Sequence, residues 1–347
     1  MARMVFKDVT RNWRTKQLQA SAIALGAVMI LAGCAGGGGN ATADEPRTLL
    51  LGHGAAPDNP RTIAAEIFSE RLAELSDGTL EVQVQGAEQL GSDAEMMVSV
   101  TSGTLDMTAN SQGAVSALVP EIALFGLPFL FDSSEHAYEV VDGEIGDDIA
   151  VLAENSGFKV LAWWDNGIRD ITNSKRPINT PEDVAGLKIR TPEDPMTVDI
   201  FNSLGANPTP MAFGELYLAL QQGAVDGQEN PVTNVKSSKL QEVQSYLAIT
   251  GHKYEVTPFI ISLSTWNTLT AEQQEAVQIA ANEARDEQRS LMVTQINEIY
   301  DEFESVIEIT RPELDPFRTA TASVYDKWES QFPEIVGKLV DEADATR

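Results

Sequence analysis

Residues 47–109 read RTLLLGHGAAPDNPRTIAAEIFSERLAELSDGTLEVQVQGAEQLGSDAEMMVSVTSGTLDMTA, and short apolar runs alternate there with amphipathic stretches. The apolar run 49–51 is typical of a buried strand, and apolar residues recur behind it at helical spacing from Ile63 to Leu72. The elements that follow are a strand at 80–84, a helix around 96–100 that ends at Gly103, and a strand at 105–109. This order predicts a βαβαβ half with a largely parallel sheet, and therefore an α/β fold.

A second series of the same kind begins at residue 158 and indicates a second lobe. Its elements are strands at 158–163, 168–172 and 187–190, helices at 194–204 and 213–222, and an extended run at 255–263. The tetrapeptide Thr270-Ala-Glu-Gln273 fits a capping box, and the polar, alanine-rich stretch that follows to about residue 305 predicts one long helix.

Length and composition limit the function classes. A chain of 347 residues, of which 43% are hydrophobic, is long enough for two lobes and is not disordered as a whole. The 24 basic and 52 acidic residues give a net charge of −28, which argues against binding nucleic acid. One Cys and three His leave little for a metal centre, and we expect no metal and no cofactor.

The first 34 residues are typical of an export signal. Five basic residues precede an apolar run from about residue 20 to residue 32, which is shorter than the roughly 20 residues of a membrane span. Its end, Leu31-Ala-Gly-Cys34, resembles the bacterial lipobox and holds the only Cys of the chain. The sequence therefore predicts a lipoprotein signal peptide at 1–34, with Cys34 lipidated. Without this leader 19 basic and 51 acidic residues remain, a net charge of −32, which is typical of a solubilising or salt-adapted surface.

The predicted organisation after the leader has four parts. A flexible tether at 35–46 precedes a first lobe at 47–160 and a second lobe at 161–245. Residues 246–347 contribute an interlobe strand, the long helix and the C-terminal helices, and part of this region crosses back to the first lobe.

Enzyme signatures are weak. The turn Gly52-His53-Gly54 lacks the third glycine of a dinucleotide fingerprint, and the sequence contains no P-loop, Gly-x-Ser-x-Gly elbow or HExxH motif. Carboxylates are so abundant that a glycosidase pair cannot be recognised by spacing. We therefore expect a binding protein and not an enzyme.

Two arginines at predicted strand ends are the best candidates for a binding site. Arg169 and Arg190 each lie in an apolar context, and a guanidinium group can hold a carboxylate through two parallel hydrogen bonds. The alternative is that each pairs with an acid of the protein, and for Arg169 the neighbours Asp165 and Asp170 are candidates.

Several ordered motifs carry a family resemblance. They are QLG at 89–91, FGLPFLF at 125–131, GIRDITN at 167–173, PEDVAGLKIRTP at 181–192 and LGANPTPMAFGELYLALQQGAVDGQENP at 204–231. This series resembles the solute-binding protein of a tripartite ATP-independent periplasmic (TRAP) transporter of the DctP type, and it extends over essentially the whole chain after the leader.

The resemblance implies two α/β lobes joined by a hinge, a periplasmic-binding-protein-like fold, with a long helix spanning both lobes and the ligand enclosed between them. It also implies that Arg190 clamps the ligand carboxylate, that Arg169 assists, that Asn230 hydrogen-bonds the ligand and that Phe213 packs against it.

Further candidate site residues are less specific. His53 and Asn110 follow predicted strands at the carboxyl edge of the sheet, where α/β clefts bind ligands. The remaining candidates are Gln89, Glu193, Trp164 and His252, and for Trp164 and His252 a structural role is the stronger alternative.

The sequence thus predicts a lipid-anchored receptor on the outer side of the cytoplasmic membrane. It would capture a small organic acid, first of all a sugar acid such as a hexuronate or aldonate, and deliver it as a monomer to the small and large TRAP membrane subunits. A C4-dicarboxylate, a keto acid, a sialic acid or an ectoine-like zwitterion remain open as ligands. An ABC-type binding protein and a secreted lipoprotein hydrolase are the alternative functions.

Overall fold

The computed structural model describes residues 46–347. The predicted signal peptide, the lipidation site Cys34 and all but the last residue of the predicted tether lie outside the described residues. The boundaries of the two lobes stay predictions.

Nine strands and thirteen α-helices are formed by the described residues. The strands are β1 (Arg47–His53), β2 (Leu80–Gln85), β3 (Met107–Ala109), β4 (Phe158–Asn173), β5 (Lys188–Thr191), β6 (Asn207–Pro210), β7 (Gly227–Asn230), β8 (Tyr246–Ser262) and β9 (Glu308–Thr310). The helices are α1 (Pro60–Leu75), α2 (Asp93–Ser102), α3 (Gln112–Ser116), α4 (Ser134–Val141), α5 (Glu144–Glu154), α6 (Pro181–Val184), α7 (Pro195–Ser203), α8 (Leu216–Gln221), α9 (Val232–Ser237), α10 (Leu263–Trp266), α11 (Ala271–Phe303), α12 (Asp315–Gln331) and α13 (Pro333–Ala345). Three short 3₁₀ helices cover Pro120–Gly126, Phe213–Glu215 and Leu240–Glu242.

The strands form one sheet in the order β2-β1-β3-β8-β4-β7-β5-β6, and β9 pairs with β8. We call β1, β2 and β3 the first strand group and β5, β6 and β7 the second strand group. Within each group neighbouring strands are parallel, as the sequence predicts. The antiparallel pair β4 and β8 lies between the two groups and joins them.

Strand β4 corrects the sequence prediction, which had two separate strands at 158–163 and 168–172. The intervening Asp165-Asn-Gly167 has the composition of a turn, yet the chain continues to pair with β8 through it. The register shifts between Asp165 and Gly167, and Gly167 has φ +111°. A backbone irregularity with positive φ thus replaces the turn, because glycine tolerates that conformation.

Helix α11 confirms the predicted long helix, with 33 residues after the Thr270 capping box. Its first half packs Ala276 and Ala280 into an apolar cluster with Phe68 and Phe259. Its last turns place residues in a different cluster, which includes Ile299, Phe303, Leu216, Val232 and Leu247. One helix therefore packs against the first strand group at one end and against α8, α9 and β8 at the other, as expected of a long helix that spans both lobes.

Capping side chains mark the first residues of helices α1 and α7. Asn59 accepts a hydrogen bond from the amide of Arg61 and is followed by Pro60, which starts α1. Asp194 caps α7 in the same way by accepting from the amides of Met196 and Thr197. The predicted helix at 213–222 is instead a 3₁₀ turn followed by the short α8.

Candidate ligand-binding cleft

A cavity is lined by loop and helix residues that follow the strands of the first group, by residues of the second group and its loops, and by residues of the β4–β8 pair. The empty space between its walls, counted out to the open mouth, is about 640 Å³. Its lining residues are Gly54, Ala55, Arg61, Glu88, Ser92, Asp93, Ala94, Ser111, Ala114, Asn166, Arg169, Arg190, Pro192, Glu193, Met211, Ala212, Phe213, Asn230, Asn234 and Glu255.

Arg190, on β5, is a buried guanidinium group without an acidic contact. Its Nε and Nη2 donate to the main-chain oxygen of Met211, at 3.0 and 2.6 Å. Within residues 46–347 no carboxylate oxygen lies within 4.0 Å of it, and Nη1 has no protein acceptor. Burial lowers the pKa of Arg190 to about 10, so the group still carries its charge at neutral pH. The cleft therefore contains a desolvated positive charge whose partner the described protein does not supply.

Arg169, on β4, is in the opposite situation. Its Nε and Nη2 donate to the Glu229 carboxylate, Nη1 donates to Glu255, and Nη2 also reaches Asn230 Oδ1 at 3.1 Å. Burial acts to lower the pKa of Arg169, but the charges of Glu229 and Glu255 outweigh it and raise the pKa. Most of its N–H groups are therefore held by acids of the protein itself.

The side-chain amide of Asn230 is also engaged within the protein. Its Oδ1 accepts from Arg169 and, at 3.1 Å, from Asn234, while its Nδ2 donates to Gln228. Phe213 lies across the cavity wall, with its ring centroid 5.7 Å from the Arg190 guanidinium carbon. The half-buried ring thus offers an apolar surface next to the unpaired charge.

Several hydrogen bonds join the two sides of the cleft, and one of them runs from Asn59 Nδ2 to Ser237 Oγ at 3.2 Å. Asn59 Nδ2 donates to Asn234 Oδ1 at 2.8 Å, and the amide of Gly214 donates to Glu88 Oε2 at 2.9 Å. Burial, followed by the charge of Asp93, raises the pKa of Glu88. Of the groups in these hydrogen bonds, Glu88 and Asn234 also line the cavity.

Comparison with known proteins gives the family. Residues 51–331 match the family model DctP, described as bacterial extracellular solute-binding protein, family 7. The chain belongs to this family.

Individual relatives agree with that assignment. The uncharacterized protein y4mM of Sinorhizobium fredii is 53% identical over 82% of this chain, although the match spans only about half (52%) of y4mM. The sugar acid binding protein DctPAm of Advenella mimigardefordensis, solved with galactonate, has a TM-score of 0.85 and 31% identity, covering 87% of this chain and 99% of its own. A TRAP periplasmic solute binding protein of Sulfitobacter sp., solved with β-D-galacturonate, has a TM-score of 0.82 and 32% identity, covering 85% and 99%.

The two-lobed architecture expected of the DctP family is therefore present, and five of the ten predicted site residues line the cleft. These are Arg169, Arg190, Glu193, Phe213 and Asn230. Glu193 is exposed at the cavity edge, whereas both arginines are buried. The pairing alternative for Arg169 occurs, but with Glu229 and Glu255 and not with Asp165 or Asp170.

His53 and Asn110, the two candidates at the carboxyl ends of β1 and β3, do not line the cleft. The amide of Asn110 is used by the protein, since Oδ1 accepts from the Thr108 hydroxyl at 2.8 Å and Nδ2 donates to the Asp93 carbonyl at 2.9 Å. His53 Nδ1 accepts from the amide of Ala55, and burial, with the charge of Arg61, lowers the pKa of His53 to about 3. Each side chain turns into the protein in this structure, and a ligand contact by either residue stays a prediction.

The other three candidates also lie outside the lining. Trp164 stacks on Phe259 in the core, with 4.5 Å between ring centroids. His252 is buried behind Glu229, with Nδ1 2.9 Å from the Thr250 hydroxyl and Nε2 3.4 Å from a Glu229 oxygen. Gln89 is exposed.

Sequence reasoning missed several charged lining residues, and Arg61 and Asp93 are two of them. Arg61 follows the Asn-Pro start of α1, and Asp93 follows the Ser92 cap of α2, so both stand at helix starts just after a parallel strand. Because the carboxyl edge of a parallel sheet is where clefts form, helix-start positions were the available signal.

Residues 46–347 contain neither a candidate membrane-spanning helix nor a cluster of metal ligands. Within that range no helix is both long and apolar enough to cross a membrane. Nor do its His, Cys, Asp and Glu side chains form a group of three or more that could hold a metal ion.

Proposed function

We propose that this chain is the receptor of a TRAP uptake system and that it binds a small organic acid through Arg190. In this proposal the ligand carboxylate takes the free Nη1 of Arg190, the ring of Phe213 covers the ligand's carbon chain, and Arg169 and Asn230 complete the wall. Binding would draw the two strand groups together around the ligand, as hinged binding proteins do.

The observation that carries this proposal is the unpaired, buried charge of Arg190. Transferring a charged group from water into a protein costs several kcal/mol unless an opposite charge and hydrogen bonds compensate it. Arg169 has two carboxylates within contact distance, but Arg190 has none among the described residues. A carboxylate ligand would supply the missing charge and accept two hydrogen bonds.

A sugar acid is the ligand class that we favour. The cavity wall combines the Phe213 ring with hydrogen-bonding side chains that include Arg61, Asp93, Asn166 and Asn234. Such a wall suits a short carbon chain that carries hydroxyl groups. The solved relatives with galactonate and galacturonate support the same class.

A thermal-shift screen tests the ligand class. A ligand that binds only the folded protein raises its melting temperature, so galactonate, galacturonate, succinate and neutral galactitol can be compared at equal concentration. We expect hydroxylated acids to give the largest shift and galactitol to give none. Galactitol stabilising the protein as well as galactonate would contradict the proposal. Incubation with glycosides and esters followed by NMR should show no product, whereas turnover would favour the hydrolase alternative.

The location and partners are part of the same proposal. We infer a lipid anchor at Cys34, export to the outer side of the cytoplasmic membrane, a monomeric state, and delivery to the small and large membrane subunits. Mass spectrometry of the mature N-terminus should find a diacylated Cys34, and Cys34→Ser should release the protein from membranes. Light scattering measures the molar mass and so tests the monomeric state. Recovery of the wild type in the soluble fraction, and not with membranes, would contradict the lipid anchor.

A further inference from the structure

Arg61 is a second buried guanidinium group that lines the cleft without an acidic contact. Its Nη2 donates to Asn166 Oδ1 and to the Thr257 hydroxyl, both at 2.9 Å. Over residues 46–347 no carboxylate oxygen lies within 4.0 Å of it, and Nε and Nη1 have no protein acceptor. The side chain is thus anchored at one nitrogen and offers its other N–H groups to the cavity.

Asp93, also in the cavity lining, has a carboxylate oxygen that lacks a hydrogen-bond donor. Its Oδ2 accepts from the main-chain amide of Ser111 at 3.0 Å. Its Oδ1 is shielded from solvent and has no donor among the described residues. A buried carboxylate oxygen without a donor costs free energy, so this atom requires an N–H or O–H group that the described protein does not provide.

Gly54 keeps space open beside this oxygen. A Cβ atom at residue 54 would lie 3.0 Å from Asp93 Oδ1 and 3.4 Å from Glu88 Cγ. The backbone at Gly54 does not have positive φ, so its conformation does not require glycine. The missing side chain therefore matters for the space that it leaves next to Asp93.

We propose that Arg61 and Asp93 together bind one hydroxyl group of the ligand and thereby determine which hydroxylated acids the receptor accepts. This inference rests on the proposed function, because it places the ligand in the same cleft with its carboxylate on Arg190. The hydroxyl donates its hydrogen to Asp93 Oδ1 and accepts a hydrogen bond from Arg61, and Gly54 leaves room for it.

A hydroxyl fits this pair better than a charged group. A second carboxylate would suit Arg61 but would be repelled by Asp93, and it has no hydrogen to donate to Oδ1. An ammonium group would suit Asp93 but would be repelled by Arg61. A hydroxyl is both donor and acceptor and carries no charge, so it satisfies both deficits at once.

The test pairs protein variants with ligand analogues in isothermal titration. Wild type, Asp93→Asn and Arg61→Met are titrated with galactonate and with each of its mono-deoxy analogues. We expect one hydroxyl whose removal weakens binding to the wild type at least tenfold, but weakens binding to either variant less than threefold. This non-additivity identifies the contact, because each comparison is made within one protein and is independent of any change in stability.

Two further variants sharpen the comparison. Gly54→Ala should weaken galactonate binding at least tenfold and the critical deoxy analogue less, because its methyl group occupies the hydroxyl's space. Asp106→Asn is the matched control, since Asp106 accepts hydrogen bonds from the amide of Leu50 and the hydroxyl of Thr265 but does not line the cleft. It should leave affinity within threefold.

Three outcomes overturn the inference in distinguishable ways. If each deoxy analogue lost the same affinity for the wild type as for Asp93→Asn, Asp93 would not contact a ligand hydroxyl. Galactarate binding at least tenfold more tightly than galactonate, with the gain lost in Arg61→Met, would assign Arg61 to a second carboxylate. Failure of the wild type to bind galactonate and every other acid of the screen would contradict the proposed function and this inference with it.

Discussion

The Nε and Nη2 atoms of Arg190 share a single acceptor, the main-chain oxygen of Met211, at 3.0 and 2.6 Å. A main-chain carbonyl orients the guanidinium plane but does not neutralise its charge. Arg169, on β4 and separated from β5 by β7 in the sheet, is instead held by Glu229 and Glu255. The cleft therefore separates a compensated arginine, which supports the wall, from an uncompensated one, which is left for the ligand.

Replacing Arg190 by Lys should weaken binding of the best acid by about 100-fold, or about 2.7 kcal/mol. A lysine keeps the charge but cannot donate two parallel hydrogen bonds while also holding Met211. Isothermal titration measures the loss. Arg176→Lys is the matched control, because Arg176 also donates to main-chain oxygens, of Asp183 and Ala185, outside the cleft. An Arg190→Lys protein within threefold of the wild type would refute the role of Arg190.

Protonation of Glu229 should make the protein less stable in acid. Burial acts to raise its pKa, but the charge of Arg169 dominates and lowers the pKa of Glu229 to about 2, from 4.5. A lowered pKa in the folded state contributes stability above pH 4.5 that is lost as the pH falls toward 2. Between pH 4.5 and 3 the loss is roughly 2 kcal/mol.

Urea unfolding of the wild type and Glu229→Gln at pH 5 and pH 3 isolates this contribution. The variant should be less stable at pH 5, since Arg169 loses a charged partner, by roughly 3 kcal/mol. The difference between the two proteins should then shrink at pH 3. A difference that is the same at both pH values would contradict the assigned ion pair.

Asp165, on β4, should have the opposite pH dependence. Burial raises its pKa to about 6, although the Tyr138 hydroxyl donates to its Oδ2 at 2.7 Å and acts to lower it. Because the folded pKa exceeds the unfolded value of 3.8, stability is lost as the pH rises from 3.8 through 6. Asp165→Asn should therefore increase the free energy of unfolding by about 1–3 kcal/mol at pH 7.5 and change it little at pH 3.5. Urea unfolding that shows destabilisation at pH 7.5 would contradict this expectation.

The cap of α11 should contribute measurably to stability. Thr270 Oγ1 accepts from the amide of Gln273 at 3.2 Å, and Gln273 Oε1 accepts from the amide of Thr270 at 3.1 Å. Thr270→Ala should cost about 1 kcal/mol. Thr294→Ala, in the middle of the same helix, removes a hydroxyl that bonds only to the Ser290 carbonyl and should change stability by less than about 0.5 kcal/mol. Equal effects of the two substitutions would refute the capping role.

The elements of the fold could be predicted where periodicity is strong. The strands of the first group and the 33-residue α11 follow from apolar spacing and from the Thr270 capping box. The length of β4 could not be predicted, because Asp165-Asn-Gly167 has the composition of a turn and only pairing with β8 keeps it extended. Pairing with a strand about 90 residues away leaves no local signal.

The candidate site could be predicted only where a residue carries a signal in its own stretch of sequence. Arg190 stands out in a chain with few basic residues. The position of the Arg61 side chain, however, depends on contacts with Asn166 and Thr257, which are 105 and 196 positions away in the sequence. Asp170 was proposed as a partner of Arg169, yet consecutive strand residues point to opposite faces of a sheet. Asp170 accordingly bonds to Tyr300 of α11, and Arg169 reaches Glu229 and Glu255.

A crystal structure with the acid that binds most tightly tests the central claim most directly. The account predicts a ligand carboxylate oxygen within about 3.2 Å of Arg190 Nη1, with the Arg190–Met211 hydrogen bonds retained. A ligand carboxylate bound elsewhere in the protein, with Arg190 contacting only protein atoms or water, would contradict it.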